Sequence, residues 1–331
     1  MLAGEQRPRK GKAWTYVPPA GPGLDQLASP EGRRRFVRYW VAENLSSGFD
    51  IFMFYLMKLL APLDTCSNFG ARLSHYVFPR WHKRAEERAR ANLRRLLPAA
   101  SETEREAIWV RNRENQGRLI TEFSIIARLA RSKGRIRVHG LDNLLETVRH
   151  HPTIITGMHL GNWEILHGIL QQAGISAAHI YMPPASRAGT WIAGRVRQSL
   201  GTRLLPPGKD AIPLAVAELK RGGVVLMYCD EGLRGRIRSP LLGRKPHLEG
   251  NLGVAVRLAR VTGAKLCPWY AVRGKAARFD AYFLAPVALP AEERPRSRLL
   301  EDVALLNSVI ELVILDHLDQ WYFLDNELVE G

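Results

Sequence analysis

His159 and Glu164, five residues apart in the stretch ITGMHLGNWEILHGIL, are of the types and spacing that could move a proton. A carboxylate bonded to one imidazole nitrogen fixes the tautomer and stabilises the imidazolium, which leaves the other nitrogen to take a proton from an alcohol. On a continuous helix residues five apart point in different directions, because the helix repeats every 3.6 residues. The pair can therefore meet only across a turn, and Gly161 and Asn162 between them are turn-compatible. No serine or cysteine stands beside the histidine as a nucleophile, and the segment lacks the GxSxG elbow of α/β-hydrolases. The chemistry implied is direct attack by a bound alcohol, with His159 as base and no covalent enzyme intermediate. Spacing alone is a weak signal, since a His and a Glu at this distance also occur by chance. His139 and His167 read as ordinary loop and helix residues.

The surrounding elements strengthen the case. The run TIITGM is apolar and β-prone, so His159 falls at the carboxyl end of a strand, and the amphipathic stretch from Asn162 to Ala173 predicts a helix just beyond it. In open α/β sheets ligands bind outside the carboxyl ends of strands, often at the start of the next helix. After Gly134 the runs RIRVHG, TIITGMHL, AAHIYM, GGVVLMYCD, KLCPWYAV and FDAYFLA read as strands. Helical stretches are expected at 162–173, 190–200, 210–220, 250–261 and 297–318. This alternation predicts an α/β fold, a mixed or mostly parallel sheet covered by helices. Before it, residues 32–131 have a helical pattern broken near Gly70 and Pro98, and residues 1–30 are rich in Pro, Gly and basic residues. The expected organisation is an irregular basic arm (1–30), a helical membrane-associating region (31–132) and an α/β core (133–331). No linker-like boundary separates the last two.

Composition limits the partners. Among 331 residues, 48 Lys and Arg against 32 Asp and Glu give a net charge of +16, which calls for an anionic partner: nucleic acid, an acidic protein or anionic lipid. Nucleic acid is disfavoured, since there is no Cys/His finger and no arginine-dense aromatic motif, and the basic residues are scattered. Cys66, Cys229 and Cys267 are far apart and lack CxxC spacing, so neither a disulfide framework nor a structural zinc site is expected. No metal or cofactor is implied. The N-terminal MLAGEQRPRKGKAW has no apolar run of the kind a cleaved secretory signal needs. The segment FDIFMFYLMKLLAPL, Phe49 to Leu63, is shorter than the ~20 apolar residues of a spanning helix and contains Asp50 and Lys58. A buried core helix, an interfacial helix and a span beginning at Val41 all remain open. The basic stretch RWHKRAEERARANLRRL that follows favours a helix lying on an anionic membrane.

Taken in order, several motifs resemble the bacterial lipid A late acyltransferases, the lauroyl and myristoyl transferases within the lysophospholipid acyltransferase superfamily. GMHLGNWE resembles that family's HX4(D/E) motif, and NLRRLLP and RNRENQGRLITE resemble its helical region. RVRQSLG makes Arg197 the counterpart of a family arginine, and GGVVLMYCDE resembles a strand ending in Asp-Gln. SPLLGRKPHLEGNLGVAVRLARVTGAKLCPWY and LDQWYF resemble its later motifs. The chain departs from the pattern at Glu231, where Gln is usual, at Leu241 and Leu242, where paired Phe is common, and in HLEG, which lacks the usual Thr.

The resemblance implies transfer of a fatty acyl group from an acyl thioester, acyl carrier protein or acyl-CoA, to a hydroxyl of a lipid A precursor at the cytoplasmic face of the inner membrane. The alternative is the same reaction on a glycerolipid, aminolipid or glycolipid. The expected roles are His159 as general base, Glu164 as its orienting carboxylate, and backbone amides near Gly161 and Asn162 for the oxyanion. Arg197 is expected at a headgroup phosphate, Asp230 at the floor of the site and Gly243 in a tight turn.

Overall fold

Ser29 and Pro30 open the first long helix in the manner their chemistry favours. The Ser29 hydroxyl accepts the Gly32 N–H at 3.0 Å, and Pro30 occupies a first-turn position where its missing N–H costs nothing. The structure, a computed structural model, describes residues 20–184, 186–233 and 235–328, so residues 1–19 of the expected basic arm lie outside the described residues. Helix α1 (Pro30–Val37) continues through a π-helical turn at Arg38–Ala42 into α2 (Glu43–Leu60), which ends where Ala61 turns extended ahead of Pro62. Helices α3 (Leu63–Trp81), α4 (Lys83–Leu96), α5 (Glu102–Glu122) and α6 (Ile126–Arg131) complete the helical layer. A capping box between Ser101 and Glu104 starts α5. Helices α3 and α5 cross so closely that a Cβ on Gly70 would lie 2.3 Å from the Gly117 carbonyl oxygen, which explains glycine at both positions.

The sheet region follows in the order β1 (Ile136–His139), α7 (Leu141–His150), β2 (Thr153–Gly157), α8 (Ile165–Gln172), β3 (Ala177–Ile180), α9 (Arg187–Ser199), β4 (Arg203–Leu205), α10 (Ala211–Lys220) and β5 (Val224–Tyr228). A short antiparallel pair, β6 (Glu231–Leu233) and β7 (Arg236–Ser239), comes next. It leads to α11 (Gly250–Thr262), β8 (Lys265–Arg273), β9 (Phe279–Phe283) and α12 (Leu299–Asp316), and a final 3-10 turn spans Tyr322–Asp325. The main sheet has seven strands in the order β1-β9-β8-β2-β5-β3-β4, all neighbours parallel except the β8–β9 hairpin. This is the mostly parallel, helix-covered α/β sheet read from the sequence.

Differences from the expected elements are local. Strands β4, β6 and β7 and helix α7 were not anticipated; the three strands are only three or four residues long and carry no readable alternation. Helix α8 begins at Ile165 rather than Asn162, because Trp163 and Glu164 form a turn first.

Two apolar cores flank the sheet, and β2 shows why: Ile154 faces one and Ile155 the other, both fully buried. The first core takes in α10, α11 and α12 with Phe78 and Trp109 of the helical layer, and the second takes in α6 and α8 with Phe54 and Leu119. The helical layer therefore packs directly on the sheet. Among the described residues no helix is long and apolar enough to cross a membrane.

Candidate active site

The register of two neighbouring strands builds the site. Strands β2 and β5 are parallel, and Gly157 pairs with Tyr228 at their carboxyl ends. Two residues further along each strand come His159 and Asp230. The register therefore sets them side by side, where ligands bind in sheets of this kind. The Cys229 N–H bonds the Gly157 carbonyl at 2.9 Å, carrying the pairing one step past the strands.

Asp230 is fully buried and holds the histidine at two points. Its Oδ1 lies 2.9 Å from His159 Nδ1, and its Oδ2 accepts the His159 backbone N–H at 2.7 Å. The Asp230 carbonyl oxygen is 3.1 Å from the same Nδ1. Neither a carboxylate nor a carbonyl can donate, so Nδ1 carries the proton and Nε2 is left as an acceptor. The ring is boxed by aromatics: Tyr228 at 4.1 Å, Trp163 at 4.7 Å and Phe323 at 5.0 Å between centroids.

His159 lines a cavity of about 580 Å³ whose wall is mostly apolar, including Ile180, Met182, Ile212, Met227 and Val254. Polar groups enter it at few points. Glu231 is one, its carboxylate accepting the Asn251 N–H at 2.8 Å at the start of α11. Burial raises the Glu231 carboxyl above its ordinary range. Burial likewise raises the Tyr228 phenol far above its usual value and keeps it neutral.

Glu164 has a different partner from the one expected. Its fully buried carboxylate is gripped by Arg197 of α9, with Nε at 3.1 Å from Oε2 and Nη2 on Oε1. Burial alone would raise this carboxyl, but the attraction of Arg197 and its hydrogen bonds more than reverse that, so it titrates below its ordinary value. His167 Nε2 stands 3.7 Å from Oε2. The carboxylate hydrogen-bonded to His159 is thus Asp230 rather than Glu164. The turn after the strand directs Glu164 toward α9 and away from bonding distance of the imidazole.

The remaining candidates separate by position. Gly161 adopts φ +56°, and a Cβ there would lie 2.7 Å from the Ala271 carbonyl oxygen, so glycine is required for the turn. The Asn162 side chain donates to Glu122 at 2.9 Å, and Arg273 clamps that same carboxylate at 2.5 and 2.8 Å. Both Gly161 and Asn162 are buried and neither is among the residues lining the cavity. Arg197 does line it; its Nε and Nη2 bond Glu164, while Nη1 makes no hydrogen bond among the described residues. Gly243 sits exposed in a turn at φ +84°, away from the cavity wall. Of the expected set, His159 and Arg197 line the cavity, and Asp230 stands fully buried behind His159, bonded to its ring.

Sequence reading missed Trp321, Tyr228 and Glu231 as parts of this site. Trp321, fully buried, donates its indole N–H to Asp230 Oδ2 at 3.0 Å. The signal for Asp230 and Tyr228 was present: two apolar strands each end in a polar residue, and in adjacent parallel strands such residues meet.

The described residues thus place an imidazole–carboxylate pair at a strand end of a mostly parallel sheet, opening on a greasy cavity. The chain belongs to the bacterial lipid A biosynthesis acyltransferase family, whose model matches residues 34–329. It is accordingly an acyltransferase with an acyl donor and a lipid acceptor. A search of curated proteins gave no match.

Proposed function

We propose that this acyltransferase moves a fatty acyl group from acyl carrier protein to a hydroxyl of a lipid A precursor at the cytoplasmic face of the inner membrane, with His159 as general base held by Asp230. The observation that carries this reading is the His159 Nδ1–Asp230 contact of 2.9 Å, which turns the acceptor nitrogen Nε2 into a base on the wall of an apolar cavity. The acceptor O–H gives its proton to Nε2 as its oxygen bonds to the thioester carbonyl carbon. The tetrahedral adduct then collapses, the C–S bond breaks, and the thiolate recovers the proton from the imidazolium, leaving an ester and a free thiol. Glu164 and Arg197 neutralise one another beneath the cavity and tie the start of α8 to α9. They act as positioning residues.

Membrane contact is part of the proposal. Val41, Leu45, Phe49, Phe52, Leu56 and Leu59 recur at three- and four-residue steps along the α1–α2 helix, all exposed, and Arg33, Arg34, Arg35 and Arg38 precede them. Such a stripe beside basic residues suits a helix lying in an anionic headgroup layer. Helix α9, which supplies Arg197 to the cavity, packs on α2 through Trp191 and Tyr55, with Arg187 bonded to Asn44.

The test is incubation of purified protein with acylated carrier proteins of several chain lengths and a panel of acceptors: a lipid A precursor, lysoglycerolipids and an aminolipid. Mass spectrometry should show one added acyl chain on the lipid A precursor, and His159→Ala should lose about 10²- to 10⁴-fold in rate. Near-full transfer by His159→Ala, or transfer confined to the other lipids, refutes the assignment.

A further inference from the structure

We infer that Trp321 is a positioning residue for the reaction: its indole N–H, bonded to Asp230 Oδ2, fixes the plane of the carboxylate that orients His159. The inference rests on the His159–Asp230 reading given above. Asp230 has two oxygens and three side-chain or backbone donors. His159 Nδ1 uses Oδ1, while the His159 backbone N–H (2.7 Å) and Trp321 Nε1 (3.0 Å) share Oδ2. A carboxylate on a single-bond pivot is free to rotate about Cβ–Cγ. The two His159 contacts lie on one residue and move with it, whereas Trp321 holds the carboxylate from a separate segment of the chain.

That segment is itself anchored. The Asn112 side chain of α5 donates to the Trp321 carbonyl at 2.7 Å and to the Leu318 carbonyl at 2.8 Å. Trp321 forms an antiparallel bridge with Leu160, and the next residue, Tyr322, donates its N–H to the His159 carbonyl at 3.0 Å. Arg273 and Gln320 bond one another through main chain and side chain. The segment around Trp321 thus holds the chain just past β2, at the His159 carbonyl and at Leu160, while its indole bonds the aspartate. Buried with zero exposure and aimed at an acceptor, the indole N–H has a task beyond filling space.

Two changes remove the N–H. Trp321→Phe keeps an aromatic ring, and replacement of Trp321 by 3-benzothienylalanine keeps the shape and exchanges only N–H for sulfur, which guards against simple misfolding. In both, kcat should fall about 10- to 100-fold, the scale of a hydrogen bond to a charged group, while KM for donor and acceptor stays within about twofold. In an Asp230→Asn background the same benzothienyl change should cost little more, because the group it orients is already altered. Wild-type kcat in the benzothienyl protein overturns the inference. So does a loss of equal size in the Asp230→Asn background, or a rise in KM alone. If Asp230→Asn itself retains full activity, it is the His159–Asp230 reading that fails, and the two failures are told apart by that single variant.

Discussion

Two carboxylates near His159 are held in opposite ways, and substitution should separate their tasks. Asp230 accepts from the imidazole, a backbone N–H and an indole, so Asp230→Asn keeps the shape and removes the acceptor that fixes the tautomer. Its rate should drop by about 10²- to 10⁴-fold with a melting midpoint close to wild type, read by steady-state kinetics and calorimetry. Among the described residues Glu164 is the sole carboxylate on the buried Arg197 guanidinium. Glu164→Gln should therefore appear first as instability, about 3–5 kcal/mol in a urea titration, because it strands a buried cation. Replacing both partners by apolar residues of similar size should return much of that stability. At this scale the sequence was half legible. His159 could be found from its place after TIITGM, but its carboxylate could not be chosen, since a spacing of five is silent on which way Glu164 turns. Arg197, thirty-three residues further on, settles that direction through an ion pair that no local pattern encodes.

Helix α8 and strand β3 carry a buried pair of histidines, His167 and His179, with ring centroids 5.1 Å apart. Burial pushes the His167 imidazole down from 6.5 to about 4, against the partial opposition of Glu164, and burial lowers His179 well below its ordinary value. The unfolded chain binds these protons at pH values where the folded protein does not. Stability should thus be full above about pH 6.5 and decline as the pH falls toward 4, by about 3 kcal/mol for His167 acting alone. Chemical denaturation at half-unit steps measures the slope, and His167→Gln should flatten it. Elements of ordinary length were plain in the sequence, and all six anticipated strands and the later helices form. The short β6–β7 pair was invisible because three residues give no period, yet it starts with Glu231, on the cavity wall. Strand order was also beyond reach, and it is the adjacency of β2 and β5 that brings His159 to Asp230.

The molecule as a whole has a net charge of +16 and a long exposed apolar stripe on α1–α2. Cosedimentation with vesicles should rise with their anionic lipid content and weaken as salt is raised toward the range where the Debye length drops below ~8 Å. Changing Leu45, Phe49 and Phe52 together to Ser should reduce vesicle binding by at least tenfold, and should spare transfer to a detergent-dispersed acceptor. Binding unaltered by the triple change would place the contact elsewhere. The helical pattern of residues 32–131 was readable as such. That its inner side would share both cores with the sheet was not, since apolar periodicity gives a face without naming what covers it.

The order of the chain has a temporal meaning. The ribosome delivers the histidine first, its aspartate later and the tryptophan that steadies the aspartate last, some ninety residues after Asp230. At about 5–20 residues per second, synthesis of that stretch takes several seconds, through which β8, β9 and finally the Trp321 anchor of Asp230 are added.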